Sequence, residues 1–134
     1  MSEQLKFMIC DDSRTQRSYI INALDQYDIE FMESSNGKEF ITFLDLHEGE
    51  FDLCTLDINM EELDGIETLE KLQTMSIKLP PIIIVTTENN KMMVVKAIQM
   101  DVEGYLCKPF KPEQLTEQVQ SILSQNNKKL CQKD

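Results

Sequence analysis

The feature that most constrains this chain is a strict alternation between two hydrophobic periods. Short apolar runs recur five times, and each is followed by a longer stretch whose apolar residues fall at helical spacing. LKFMICD (5–11) reads as a strand. Ser13 to Gln26 reads as a helix, with Tyr19, Ile20, Ala23, Leu24 and Tyr27 at helical spacing. IEFME (29–33) is a short strand. NGKEFITFLDLHEG (36–49) reads as a helix with Asn36 as its N-cap, Glu39 three residues later and Gly49 after its end. FDLCTLD (51–57) and PIIIVTT (81–87) are strands, the latter continuous and β-branched, as expected where both faces are covered. Ile66 to Met75 and Asn90 to Met100 are helices, GYLCK (104–108) is a strand, and Pro112 to Leu123 is the last helix, with Pro112 suited to its first position. Five β–α units in this order predict an α/β fold: a doubly wound, five-stranded parallel sheet with helices on both faces.

The chain has 134 residues, the size of one domain, and 41% hydrophobic content suits a globular one. The domain is expected over residues 1–125, and SQNNKKLCQKD after Leu123 reads as a polar tail that frays at its end. MSEQLKFM is no signal peptide and the longest apolar runs are too short to cross a bilayer, so a soluble, cytoplasmic protein is expected. The net charge of −11 argues against unaided binding to nucleic acid or to an anionic membrane. Cys10, Cys54, Cys107 and Cys131 lack zinc-site spacing. The three that fall in strands read as small core residues. His47 reads as a surface residue, and at least one of Met92, Met93 and Met100 as core-facing.

In an open α/β sheet, ligands bind outside the carboxyl ends of the strands. Here the first strand runs into Asp11 and Asp12, the third ends at Asp57, the fourth at Thr86 and Thr87, and the fifth at Lys108 before Pro109. Adjacent carboxylates about 4 Å apart repel by about 4 kcal/mol at an effective dielectric near 20. Three carboxylates and one ammonium leave a negative site that a hard divalent cation such as Mg²⁺ offsets. A carboxylate beside such a cation can attack phosphorus to form an aspartyl phosphate, with the metal, Lys108 and Thr86 sharing the phosphoryl oxygens. One Asp or Thr after a strand is an ordinary turn residue; Asp11, Asp12, Asp57, Thr86 and Lys108, at the ends of four strands, are not explained that way.

These motifs, Asp11-Asp12, "LDINMEELDG" around Asp57, "VTTE" around Thr86 and "GYLCKPF" around Lys108, resemble those of response regulator receiver domains. The closest likeness is to the single-domain chemotaxis type (CheY-like), over about residues 5 to 125. The resemblance implies a flavodoxin-like sheet of strand order 2-1-3-4-5. It implies Asp57 as phosphoacceptor, and Mg²⁺ held by Asp12, Asp57 and the Asn59 carbonyl, with Asp11 acting through water. It implies Lys108 and Thr86 as phosphoryl contacts, Thr86 and Tyr105 as a coupled switch, and a cis Lys108–Pro109 bond. Asn59 and Glu88 occupy positions that tune dephosphorylation in the family, and Thr87 replaces a smaller residue beside them. The implied partners are a sensor histidine kinase as phosphodonor, a protein target such as a flagellar motor switch protein, and a phosphatase, for a monomer whose output face spans about residues 90–123.

Three positions depart from the family pattern: Glu61 where Pro is common, Asp101 where Gly is usual, and Thr87. Competing readings are a phosphorelay intermediate or phosphate sink serving a histidine phosphotransfer domain, a pseudo-receiver that never takes phosphate, and an aspartate-nucleophile phosphatase. The last needs an acid/base Asp two residues after the nucleophile, where Asn59 stands.

Overall fold

The computed structural model describes residues 4–61, 63–87 and 91–133. Five strands and five helices alternate: β1 (Leu5–Cys10), α1 (Arg14–Ala23), β2 (Ile29–Ser34), α2 (Gly37–Leu46), β3 (Leu53–Asp57), α3 (Gly65–Gln73), β4 (Ile82–Thr87), α4 (Lys91–Gln99), β5 (Gly104–Lys108) and α5 (Pro112–Gln125). The strands form one parallel sheet in the order β2-β1-β3-β4-β5.

Strand periodicity divides the interior into two cores, because successive side chains point to opposite faces. Phe7, Ile9, Leu53, Ile83 and Val85 face α1 and α5, where they meet Ile20, Leu24, Leu115, Val119 and Leu123. Met8, Cys10, Cys54, Leu56, Ile82 and Ile84 face the other way, against Phe40, Leu44, Ile66, Leu69, Leu72 and Ala97. Met93 and Met100 pack on this second core, whereas Met92 stands 78% exposed.

Local chemistry explains the helix ends. Ser13, Asn36 and Asp64 each accept a hydrogen bond from the backbone N–H three residues on, and Asp64 forms a reciprocal capping box with Glu67. Glu39 reaches instead to the backbone and hydroxyl of Ser35. Two helices end in left-handed residues without glycine. At the end of α4, Asp101 has φ 64°, and the N–H groups of Asp101 and Val102 return to the carbonyls of Ile98 and Ala97. At the end of α5, Asn127 has φ 60°, with Asn127 and Lys128 bonding back to Ser124 and Leu123. Both are Schellman motifs. The position of Asp101 thus demands the conformation that a glycine there would adopt freely.

Two expectations are corrected. The segment after α5, residues 126–133, is not frayed. It turns back at Asn127 and lies against the α1–β2 turn: Asp28 N–H donates to the Cys131 carbonyl at 2.7 Å and Lys133 N–H to the Gln26 carbonyl at 2.9 Å. Tyr27 and Gln132 form an antiparallel bridge, Leu130 packs on the α1/α5 core, and Lys128 pairs with Asp52 at 2.6 Å. Backbone pairing and one leucine suffice to hold a segment that reads as polar. Cys107 is not a core residue but exposed. It lies on β5, the edge strand of the sheet; Cys10 and Cys54 are buried as expected. His47 is half-buried and pairs with Glu50 at 3.1 Å. Among the described residues, no helix is long and apolar enough to cross a membrane.

Candidate functional site

The switch point of this strand order lies between β1 and β3, which run side by side although α1, β2 and α2 separate them in sequence. Asp11 and Asp12 follow β1 there, and Asp57 closes β3 beside them. One carboxylate oxygen from each of Asp11, Asp12 and Asp57 lies within 4.8 Å of the others. Asp11 and Asp57 are buried, and Asp12 is exposed at the rim. Asp11 is fully engaged: its Oδ1 accepts the Ser13 N–H at 2.9 Å and its Oδ2 the Lys108 ammonium at 2.9 Å. Lys108 also approaches Asp57 Oδ1 at 3.5 Å. Asn59 N–H donates to that same Asp57 oxygen at 3.1 Å.

The electrostatics follow from this crowding. Burial and the neighbouring Asp11 push the Asp57 carboxyl up to about 6 against the pull of Lys108 and the Asn59 N–H. Asp12 is raised as well, through desolvation and Asp11. Crowded carboxylate oxygens of this kind are the donor chemistry a hard divalent cation takes. The residues therefore fit Mg²⁺: Asp11, Asp12 and Asp57 would hold it.

The other expected residues surround this cluster. Thr86 is buried, and its hydroxyl donates to the Thr87 carbonyl at 3.2 Å. Tyr105 is 45% exposed on β5. The Asn59 side-chain amide donates to Thr87 Oγ1 at 3.3 Å, so the loop after β3 is tied to the end of β4 across the mouth of the site. Lys108–Pro109 is cis, as expected. Glu61 is exposed. Glu88 lies outside the described residues. Gly65, at the start of α3, lets the helix approach the strand end; a Cβ there would lie 2.7 Å from the Asp57 carbonyl oxygen. Sequence reasoning missed Arg17, whose guanidinium reaches the Asp11 carbonyl and Glu33. Its only sequence signal is a second cation, three residues after Arg14 in α1.

A parallel 2-1-3-4-5 sheet with three carboxylates and a lysine at its switch point defines a receiver-type signalling domain. The response regulator receiver domain family matches residues 7–120, and the chain belongs to that family. Within it, the chain is homologous to chemotaxis CheY proteins. It is 35% identical over 125 residues to chemotaxis protein CheY1 of Helicobacter pylori, covering 92% of this chain and 100% of that one. It is 33% identical to chemotaxis protein CheY of Pseudomonas aeruginosa, covering 92% and 99%. The crystal structure of Vibrio cholerae chemotaxis protein CheY4 superposes with a TM-score of 0.79 at 27% identity, over 90% of this chain and 100% of that one.

Proposed function

We propose that this domain is a phosphorylation-operated switch in which Asp57 is the phosphoacceptor. The observation that carries the reading is the convergence of Asp11, Asp12 and Asp57 with Lys108 on one sheet edge. An ionised Asp57 oxygen attacks the donor's phosphorus, the bond from phosphorus to the donor breaks, and the donor leaves with the electron pair. The raised proton affinity of Asp57 makes it a better nucleophile while leaving it ionised above about pH 6. Lys108 transfers part of its attention from Asp11 to a phosphoryl oxygen. Mg²⁺, when bound, offsets charge between Asp57 and the incoming phosphoryl group. Asp11, Asp12, Asp57 and the Asn59 carbonyl are proposed as its ligands, Asp11 through water.

Thr86 and Tyr105 are proposed as the switch. A phosphoryl group on Asp57 offers the Thr86 hydroxyl a stronger acceptor than the Thr87 carbonyl, and its movement frees the space that exposed Tyr105 would fill. The affected face holds the apolar α4 residues Met92, Val95 and Ile98 and a groove of about 640 Å³ between α4, β5 and α5. Its proposed occupant is a protein target, such as a flagellar motor switch protein, and the donor is a sensor histidine kinase. Asn59 and Thr87, bridged across the mouth, together with Glu88, set how readily water or a phosphatase reaches the phosphoryl group. The protein acts as a cytoplasmic monomer with no external metabolite turned over.

The test is intact-protein mass spectrometry after incubation with a small acyl phosphate, with and without Mg²⁺, beside Asp57→Asn. A Mg²⁺-dependent gain of one phosphoryl group, absent in the variant, is expected. No gain under any condition sinks the phosphoacceptor assignment and leaves a pseudo-receiver.

A further inference from the structure

Arg17 stands behind the acid cluster rather than in it. Its side chain is only 14% exposed and is held in two directions. Nη1 donates to the main-chain carbonyl of Asp11 at 2.7 Å, and Nε donates to Glu33 Oε1 at 2.8 Å. Glu33 lies on β2, paired in register with Ile9 of β1. The Asp11 N–H is itself fixed, donating to the Ser34 carbonyl at 3.1 Å. The residue that leads out of β1 is therefore clamped at both ends of its backbone, by β2 on one side and by α1 on the other.

This clamp sets the plane of the peptide that joins Asp11 to Asp12. Asp12 is the exposed member of the cluster, without the burial that immobilises Asp11 and Asp57. With little burial to fix it, its carboxylate takes its direction from its own backbone and from the neighbouring Asp11 side chain. We infer that Arg17, held by Glu33, is a positioning residue for the divalent cation: by pinning the Asp11 carbonyl it aims the Asp12 carboxylate at Asp57. The inference rests on reading Asp11, Asp12 and Asp57 as a cation site.

Charge and geometry make opposite predictions here, which makes the idea testable. Arg17 is a cation near a cation site, so pure electrostatics says that removing it tightens Mg²⁺ binding. Positioning says that removing it weakens binding, in the range of tenfold or more found when residues supporting metal ligands are lost. A merely structural tie between α1 and β2 lowers stability and leaves Mg²⁺ affinity alone.

The experiment is an amide chemical-shift titration with MgCl₂ of the wild type, Arg17→Gln, Arg17→Lys and Glu33→Gln. The spectra report folding and binding together. Expected are about tenfold weaker binding for Arg17→Gln, partial recovery for Arg17→Lys, which keeps one donor for the carbonyl, and a smaller loss for Glu33→Gln. Phosphorylation of Arg17→Gln by an acyl phosphate then recovers when Mg²⁺ is raised to saturation. Equal or tighter Mg²⁺ binding by folded Arg17→Gln overturns the inference while leaving the cation site standing. A wild type that binds no Mg²⁺ overturns both. Should Arg17→Gln fail to fold, Glu33→Gln decides: unchanged affinity there overturns the clamp.

Discussion

Replacing Asp57 by Asn removes the charge whose confinement the fold tolerates least. Its carboxyl sits 2% exposed, with Asp11 alongside, and is pushed up from 3.8 to about 6. Keeping such a group ionised costs the folded state up to about 3 kcal/mol, and about 2 kcal/mol once solvent screening at the open sheet edge is allowed for. The sign is set by the direction of the shift. Below about pH 3 Asp57 is protonated in both folded and unfolded chains, and the substitution gains nothing. Between about pH 3 and 6 the unfolded chain releases its proton first, so wild-type stability falls as pH rises. Above pH 6 the whole penalty is present, and Asp57→Asn removes it. The amide oxygen can still accept the Asn59 N–H, and Lys108 keeps Asp11. In Mg²⁺-free buffer at pH 7.5 the variant is expected to be about 2 kcal/mol more stable in urea denaturation, a rise of roughly 5–10 °C in Tm. At about pH 3 the two proteins should nearly coincide. A gain of the same size at both pH values, or none at pH 7.5, refutes the electrostatic account of the site.

Mg²⁺ should reverse that ordering: at a hundredfold excess over its Kd it stabilises the wild type by about 2.7 kcal/mol, and thermal shifts should show no such gain for Asp57→Asn or Asp12→Asn. Asp101→Gly relieves a left-handed residue at the end of α4 and removes a negative charge from a helix carboxyl terminus, so urea denaturation should show a gain of about 1 kcal/mol. Gly65→Ala gains helix propensity, worth up to about 1 kcal/mol, but its Cβ would lie 2.7 Å from the Asp57 carbonyl oxygen and 2.8 Å from Ile58 Cα. Both are backbone atoms that cannot swing aside. A net loss of about 1–3 kcal/mol is expected, with weaker Mg²⁺ binding in titration because Asp57 is displaced.

How much of this was legible depends on which physical signal wrote each feature. β5 has the bounds its sequence predicts, and the turn-forming Pro109 follows it directly. The acid cluster was legible because Asp11 and Asp12 follow one strand and Asp57 ends another, and parallel strands bring such ends to one edge. The end of α1 was not. Leu24 and Tyr27 continue the helical spacing, yet the helix stops at Ala23, and both residues still pack on the same core from the turn beyond. Cys107 misled because an apolar run does not say whether its strand is central or at an edge. Asp101 was visible only as a residue out of place, and its positive φ shows the fold retaining the turn without the glycine. Arg17 carried no periodicity at all: its role comes from β2, which only the folded chain sets beside it.

The returning tail has a consequence in time. Cys131 and Asp28, and Lys133 and Gln26, are joined across about a hundred residues of chain, and Lys128 reaches Asp52 across more than half the sequence. Contacts of such high separation bring a large closure cost and here only a few hydrogen bonds and Leu130 in return, so they belong to the last steps of folding. Interactions absent from the transition state act on unfolding alone. A chain shortened before Lys128 should therefore fold at the rate of the whole protein and unfold faster. The tail's contribution is to the lifetime of the native state rather than to the speed of reaching it.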